Sequence, residues 1–192
     1  VLEALPFLDF CPDIIHCHDW QTGLIPVFLK TLYGDEHYYD GIKTVFSIHN
    51  LQFQGRWNLP AVMDITGLPE QIFTSDKLES YGEANYLKGG VVYADAITTV
   101  SETYAYEITT QQGGEGLDGL LRARKNDLYG ILNGLDYDIY NPQSDEYIDT
   151  KFGTKDFISG KKKNKAALQR ACGLPVREDV FLIGMVSRMT NQ

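Results

Sequence analysis

Short apolar runs alternate with helical patterns along most of this chain. The runs that predict strands are 13–17, 42–48, 96–100, 129–132 and 180–186. The patterns that predict helices are 22–33, 85–94, a segment from Glu102 to about Tyr106, a short helix ending at Ala123, and 157–171. Alternation of this kind is typical of an α/β fold, in which helices wrap a parallel sheet.

Three stretches depart from the alternation. Residues 51–83 have irregular apolar spacing and many Gly, Pro and Asp residues, which predicts a long excursion with short helices. Gly89 and Gly90 are adjacent within a helical pattern, so another backbone or a ligand could approach there; packing against the sheet is the simpler interpretation. Residues 136–156 are polar, and we place a domain boundary there, between 1–141 and 142–192.

Polar residues follow each predicted strand. In open parallel sheets, ligands bind beyond the carboxyl ends of the strands. The residues at those ends are His18, Asp19, His49, Asn50, Ser101, Asn133 and Arg188. Carboxylate and amide groups can hold sugar hydroxyls, and a guanidinium binds phosphate oxygens through paired N–H donors. The pattern therefore predicts a site for a polyhydroxylated anion, such as a nucleotide sugar.

Composition narrows the class of protein. A net charge of −9 argues against a nucleic-acid partner, and no apolar run reaches the length of about 18 residues needed to span a membrane. The basic run 161–165 is expected to be a solvated helix face. Three cysteines in apolar surroundings, without metal-ligand spacing, predict buried, reduced thiols in a cytoplasmic protein. Both ends look truncated, so we expect an internal piece of a longer protein.

Seven motifs in order carry a resemblance to a known family. They are His-Cys-His-Asp-Trp-Gln-Thr-Gly-Leu at 16–24, Ser-Ile-His-Asn-Leu-Gln-Phe-Gln-Gly at 47–55, Asn-Tyr-Leu-Lys-Gly-Gly at 85–90, Tyr-Ala-Asp at 93–95, Thr-Val-Ser at 99–101, Gly-Ile-Leu-Asn-Gly-Leu-Asp at 130–136 and Val-Ser-Arg-Met-Thr-Asn-Gln at 186–192. They resemble the motifs of bacterial glycogen synthases and plant starch synthases. The resemblance covers nearly the whole chain.

The resemblance implies a retaining glycosyltransferase of the GT-B type, with two Rossmann-like domains. Such an enzyme adds glucose from ADP-glucose to the non-reducing 4-hydroxyl of an α-1,4-glucan. Residues 1–141 would be the later part of the N-terminal, acceptor-side domain. Residues 142–192 would be the linker and the first helix and strand of the C-terminal, nucleotide-binding domain. The implied partners are the nucleotide sugar and the glucan, without a cofactor or metal, in the cytoplasm or in a plastid if the source is a plant.

The motifs also imply roles for individual residues. The catalytic residues would be Asp19, His49 and Arg188, and the substrate-binding residues would be His18, Asn50 and Asn133. Arg188 would act electrostatically, because a fixed cation stabilises the charge that develops on the departing diphosphate. The family's Lys-Thr-Gly-Gly-Leu loop and its second diphosphate-binding lysine fall outside residues 1–192. We therefore expect this piece to be inactive by itself.

Other interpretations stay open at this point. Asp19 could be a helix N-cap, His16 a packed or hydrogen-bonded core group, and Trp20 a packing residue. His18 and Asp19 could belong to a metal hydrolase, although no further ligands follow at a useful spacing. A non-catalytic glucan-binding module, or another GT-B enzyme such as a sucrose or trehalose synthase, would also account for parts of the pattern.

Overall fold

A computed structural model describes residues 1–189 of the 192. The chain divides into two compact units, Val1–Asn133 and Gly134–Gln192, which are described separately below. The domain boundary placed from the sequence between 141 and 142 concerns the whole protein and stays a prediction.

The helices and strands follow the predicted order. The strands are β1 (Ile14–His18), β2 (Lys43–Ile48), β3 (Arg56–Asn58), β4 (Glu79–Ser80), β5 (Glu83–Asn85), β6 (Ala96–Thr99) and β7 (Leu128–Gly130). The helices are α1 (Leu24–Thr31), α2 (Leu59–Thr66), α3 (Tyr86–Tyr93), α4 (Glu102–Glu107), α5 (Asp118–Ala123) and α6 (Phe157–Ala171). Short 3-10 helices occur at Leu2–Phe7, Trp20–Thr22, His37–Tyr39 and Glu70–Ile72.

A parallel sheet organises the first unit. Within residues 1–189 its strand order is β1-β2-β6-β7, and every neighbouring pair is parallel. The register pairs His18 with Ser47 and Ser47 with Thr98, so the carboxyl ends of β1, β2 and β6 lie at one edge. The predicted α/β class with a parallel sheet is confirmed. The carboxyl ends of the strands therefore place the residues after β1 and β2 side by side.

One face of this sheet forms the main core with α3. Phe46 and Ile97 are fully buried there. A Cβ atom at Gly90 would lie 2.5 Å from the Phe46 ring, and one at Gly89 would lie 2.4 Å from a methyl carbon of Leu78. Packing is therefore the reason for the paired glycines, as the simpler interpretation held. The opposite face is open at β1, where Ile14, His16 and His18 are exposed.

Asp95 ties the end of α3 to β2. Its Oδ2 accepts hydrogen bonds from the Thr44 amide at 2.8 Å and the Thr44 hydroxyl at 3.0 Å, and Oδ1 lies 3.1 Å from Lys30 Nζ. Partial burial by itself would raise the pKa of Asp95. The hydrogen bonds from Thr44 and Lys30 outweigh that effect and hold the pKa below its ordinary value.

The excursion at 51–83 contains more structure than the sequence predicted. The expected short helix is present as α2, capped by Asn58, whose side chain accepts from the Ala61 amide. In addition, β3, β5 and β4 form a small antiparallel sheet in that order. Strands of two or three residues are too short to give a detectable alternation in the sequence.

The second unit confirms one predicted element and corrects another. Helix α6 spans the predicted residues 157–171 and ends before Gly173, which has a left-handed φ of 67°. The strand predicted at 180–186 is wrong: these residues form no strand, and Phe181 and Val186 are exposed. The physical reason is that a strand needs a neighbour to pair with, and no described residue of this unit supplies one.

The cysteine prediction is only partly correct. Cys17 is buried within the main core, and burial raises the pKa of its thiol to about 11. Cys11 and Cys172 are free and exposed, so the expectation of three buried thiols is wrong. Cys11 lies in the irregular segment before β1, and Cys172 lies at the carboxyl end of α6; neither position is covered by another element. Of the helices described, none is long and apolar enough to cross a membrane.

Candidate active site

Asp19 lies directly beyond β1 in a strained backbone conformation. Its φ is 54° and its ψ is −175°, a region that only glycine adopts without strain. The backbone holds it there on both sides, because its amide donates to Ser47 O at 2.9 Å and its carbonyl accepts from the Thr22 amide at 3.2 Å. Strain of this kind is maintained where surrounding contacts fix the conformation, and it occurs most often at functional sites.

The Asp19 carboxylate reaches the residue after the next strand. Its Oδ1 accepts a hydrogen bond from the backbone amide of His49 at 2.8 Å. A 3-10 turn begins at Trp20, but the Asp19 side chain makes no capping hydrogen bond to it. Asp19 therefore occupies the N-cap position, but its side chain does not cap the turn; the carboxylate instead joins the carboxyl ends of β1 and β2.

Thr22 stabilises the backbone bend between β1 and the 3-10 turn, at which Asp19 lies. Its hydroxyl accepts a hydrogen bond from the His18 amide at 2.6 Å and lies 2.8 Å from the His18 carbonyl oxygen, to which it donates. A second carbonyl, that of Asp19, lies 3.3 Å away. The side chain thus closes the turn that carries Asp19. The sequence analysis did not identify this residue, although it belongs to the 16–24 motif.

Three imidazoles line up beside the carboxylate. His18 Nδ1 lies 3.0 Å from His49 Nε2, so one ring donates to the other. His16 Nε2 lies 2.7 Å from the Ser47 hydroxyl. Desolvation, together with the proximity of His18 and His49, lowers the pKa of His16. His16 is hydrogen-bonded, as the sequence interpretation proposed, but it is exposed and does not belong to the core.

The loop after β2 is fixed by contacts of its own. Asn50 Oδ1 accepts from the Gln52 amide at 3.0 Å, and the Leu51 amide donates to the Tyr104 hydroxyl of α4 at 3.1 Å. The sequence gives no sign of this contact, which joins residues 53 positions apart.

Three further residues were predicted for the site: Ser101, Asn133 and Arg188. Ser101 caps α4, with its hydroxyl accepting from the Tyr104 amide at 2.9 Å, as its position predicted. Asn133 is exposed beyond β7, three strands from β1 in the sheet order. Arg188 is exposed in the second unit, so its place at the site stays a prediction. The motif at 186–192 ends outside the described residues.

The structure thus gathers one compact polar cluster, made of His18, Asp19, His49 and Asn50. It offers one carboxylate, two imidazoles and an amide at the carboxyl edge of a parallel sheet, where such sheets bind ligands. Across residues 1–189, no three His, Cys, Asp or Glu side chains are arranged to hold a metal ion.

Comparisons with known proteins define the class and then the family. The fold is that of the GT-B glycosyltransferases, as predicted from the sequence. The model of the family described as starch synthase catalytic domain matches residues 1–123, and the chain belongs to that family. The family resemblance drawn from the seven motifs is therefore confirmed.

Individual relatives agree with this assignment. The chain is 60% identical over 191 residues to a glycogen synthase of Lachnospira eligens and 57% identical over 192 residues to one of Lachnoclostridium phytofermentans. Each alignment covers 100% of this chain and 40% of the relative, so the chain spans about two fifths of the length of these relatives. The catalytic domain of starch synthase IV from Arabidopsis thaliana, bound to ADP and acarbose, superposes with a TM-score of 0.71 at 35% identity, covering 91% of this chain and 36% of that one.

Proposed function

We propose that a protein of the relatives' full length that carries this chain, called the full-length synthase below, is a retaining glucosyltransferase. It transfers glucose from ADP-glucose to the non-reducing 4-hydroxyl of an α-1,4-glucan. Residues 1–141 supply the acceptor-side domain, and residues 142–192 begin the nucleotide-binding domain. Relatives named glycogen synthase and a solved relative bound to ADP and acarbose support the proposal.

The observation that carries the proposal is the link between Asp19 and His49. The carboxylate holds the His49 amide at 2.8 Å, and the His49 ring lies 3.0 Å from His18. Asp19 Oδ2 makes no hydrogen bond within residues 1–189, so it can accept one from a sugar hydroxyl. A strained carboxylate and two exposed imidazoles at one sheet edge form a pre-organised polar surface for an activated sugar.

The proposed roles follow from the charges. His49 and His18 hold the donor glucose, and Asn50 and Asn133 supply further amide contacts. Cleavage of the bond between glucose and ADP leaves negative charge on the diphosphate, and Arg188 stabilises that charge through paired N–H donors. No cofactor is needed in this scheme, since ADP-glucose is itself the activated donor. Because the relatives are bacterial glycogen synthases, the proposed location is the cytoplasm.

Donor competition tests the proposal directly. The full-length synthase is given a glycogen primer with equal concentrations of ADP-glucose and UDP-glucose, each carrying a different radiolabel. We expect label from ADP-glucose to enter the glucan preferentially. Arg188→Ala should lower kcat while glucan affinity is retained. Absence of incorporation from either donor would refute the proposed function, and preference for UDP-glucose would refute the donor assignment.

A further inference from the structure

The main chain around His49 is held by side chains from other parts of the first unit. Three elements each supply a side chain that binds the backbone of 48–51, namely Asp19 after β1, Thr99 in β6 and Tyr104 in α4. His49 is exposed, whereas Ile48 and Leu51 are fully buried. The buried residues cannot replace their backbone hydrogen bonds with bonds to water, so each lost partner leaves a polar group unsatisfied.

Two of these side chains fix a single peptide group. The Thr99 hydroxyl donates to the carbonyl of Ile48 at 2.7 Å, and the Asp19 carboxylate accepts from the amide of His49 at 2.8 Å. That carbonyl and that amide belong to the same planar peptide unit, which precedes the Cα atom of His49. The two bonds set the position of this Cα atom. Rotation about the φ angle of His49 still moves its Cβ atom, so the direction of the ring needs a further restraint on the carboxyl side.

Tyr104 supplies a restraint on the carboxyl side of His49. Its hydroxyl oxygen accepts from the amide of Leu51 at 3.1 Å. Further along, the buried side chain of Gln54 accepts from Asn85 Nδ2 at 2.6 Å and holds the far end of the loop. Of these two contacts, that of Tyr104 is the closer to His49 along the chain. It therefore limits rotation at His49 more directly.

The Tyr104 hydroxyl is itself held in a fixed place. Its ring packs against the main core. Its amide donates to the Ser101 hydroxyl at 2.9 Å, and its carbonyl accepts from the amide of Ile108 at 3.0 Å. Ser101 follows β6, so this polar residue acts at the strand end through the helix that it caps. Helix α4 thereby connects the end of β6 to the loop after β2.

The direction of the His49 ring matters for the chemistry of the cluster. Its Nε2 lies 3.0 Å from His18 Nδ1, and this contact depends on the direction of the Cβ atom of His49. Misplacement of a reacting group by about 1 Å can cost up to about a hundredfold in rate. A residue that restrains this rotation therefore affects the reaction without touching a substrate.

We propose that Tyr104 is a positioning residue for glucosyl transfer, and that its hydroxyl acts through the Leu51 amide to aim the His49 ring at the donor glucose. The role of His49 rests on the proposed function, whereas the hydrogen bond between Tyr104 and Leu51 does not depend on turnover. Tyr104 contacts no reacting group in this scheme. It changes the rate only through the ring that it orients.

Removal of the hydroxyl in the full-length synthase tests the effect on rate. Tyr104→Phe keeps the packed ring and leaves the buried Leu51 amide without its acceptor. We expect kcat to fall about tenfold while KM for maltoheptaose is unchanged, because the His49 ring is displaced and the glucan contacts are not. Tyr106→Phe is the matched control: it is the same substitution in α4, at a residue that is 72% exposed, and it should keep the wild-type kcat. A wild-type kcat in Tyr104→Phe would overturn the proposal.

A double-mutant cycle separates positioning from a general loss of structure. His49→Ala removes the ring that Tyr104 aims. Addition of Tyr104→Phe to His49→Ala should therefore change the residual kcat, measured with radiolabelled ADP-glucose, by less than about twofold, since residues that act together give non-additive effects. A second loss of about tenfold in the double variant would show that the two residues act independently, and the proposal would be overturned.

Hydrogen–deuterium exchange in the same full-length proteins tests the bond without turnover. The Leu51 amide should exchange faster in Tyr104→Phe than in the wild type, and at the wild-type rate in Tyr106→Phe. Unchanged exchange at Leu51 in Tyr104→Phe would also overturn the proposal. An inactive wild type would instead refute the proposed function, and the exchange rates alone would decide whether Tyr104 holds the loop.

Discussion

Substitution of Asp19 can separate backbone strain from carboxylate chemistry. Its conformation at φ 54° and ψ −175° costs roughly 1–3 kcal/mol for a residue other than glycine. The hydrogen bond from the His49 amide at 2.8 Å offsets part of that cost, by about 1.5–3 kcal/mol for a charged acceptor. Asp19→Ala keeps the strain and loses the bond, whereas Asp19→Gly loses both.

The glycine variant should therefore be the more stable of the two. Relief of about 1–3 kcal/mol of strain is reduced by about 0.5–1 kcal/mol, because glycine makes the unfolded chain more flexible. We expect Asp19→Gly to unfold with a free energy about 1 kcal/mol higher than that of Asp19→Ala. Asp19→Asn should remain close to the wild type in stability, since its amide oxygen can still accept from the His49 amide.

Urea unfolding of the chain, followed by tryptophan emission, measures these differences in the first unit, where both tryptophans lie. In the full-length synthase, Asp19→Ala and Asp19→Gly should each lower kcat by at least about a hundredfold, a loss typical of removing one group that stabilises the transition state. Equal stability of the alanine and glycine variants would refute the strain argument. Near-normal turnover in both would refute the assignment of Asp19 to the active site.

Three further predictions concern packing, pH and the imidazole. Gly90→Ala should destabilise the chain by about 1–3 kcal/mol in urea, because its Cβ would overlap the Phe46 ring. Gly119→Ala in α5, whose Cβ would meet only Arg122 Nη2 at an ordinary contact distance of 3.8 Å, should stabilise the chain; equal effects of the two substitutions would contradict the packing argument. Asp95 has a lower pKa in the folded chain than in the unfolded one, so its stabilisation is complete above the unfolded value of about 3.9 and is lost as pH falls through the folded pKa. Urea unfolding between pH 2 and 7 should show a smaller loss in Asp95→Asn than in the wild type, and identical profiles would contradict this account. His49→Ala should lower kcat of the full-length synthase by orders of magnitude with unchanged thermal unfolding; wild-type kcat would contradict its role.

Local patterns predicted much of the fold. Helix α6 has the predicted bounds, because its polar and apolar spacing and the glycine that ends it are all read from neighbouring residues. The strand predicted at 180–186 is absent, because strand formation depends on a pairing partner elsewhere in the chain. An apolar run by itself indicates only that a segment could pair. The small sheet of β3, β5 and β4 was missed because its strands have only two or three residues, and because β3 pairs with residues more than 20 positions further along the chain.

In the site, too, features set by neighbouring residues were predicted and contacts between distant residues were not. The rule about carboxyl ends of parallel strands correctly placed Asp19 beside His49, and that rule requires only strand boundaries. The supporting contacts from Tyr104 and Gln54 were not predicted, because a hydroxyl or an amide in the sequence carries no sign of its distant partner. Arg188 depends on the relation between two units, which a strand pattern does not encode.

The group of His49 that meets Asp19 is its main-chain N–H, so the bend at this sheet edge does not depend on which side chain stands at position 49. An engineer could therefore exchange the ring for an unnatural imidazole of altered basicity and keep the scaffold intact. A series of such rings would relate turnover to proton affinity at one atom, with no accompanying change in architecture to confuse the comparison.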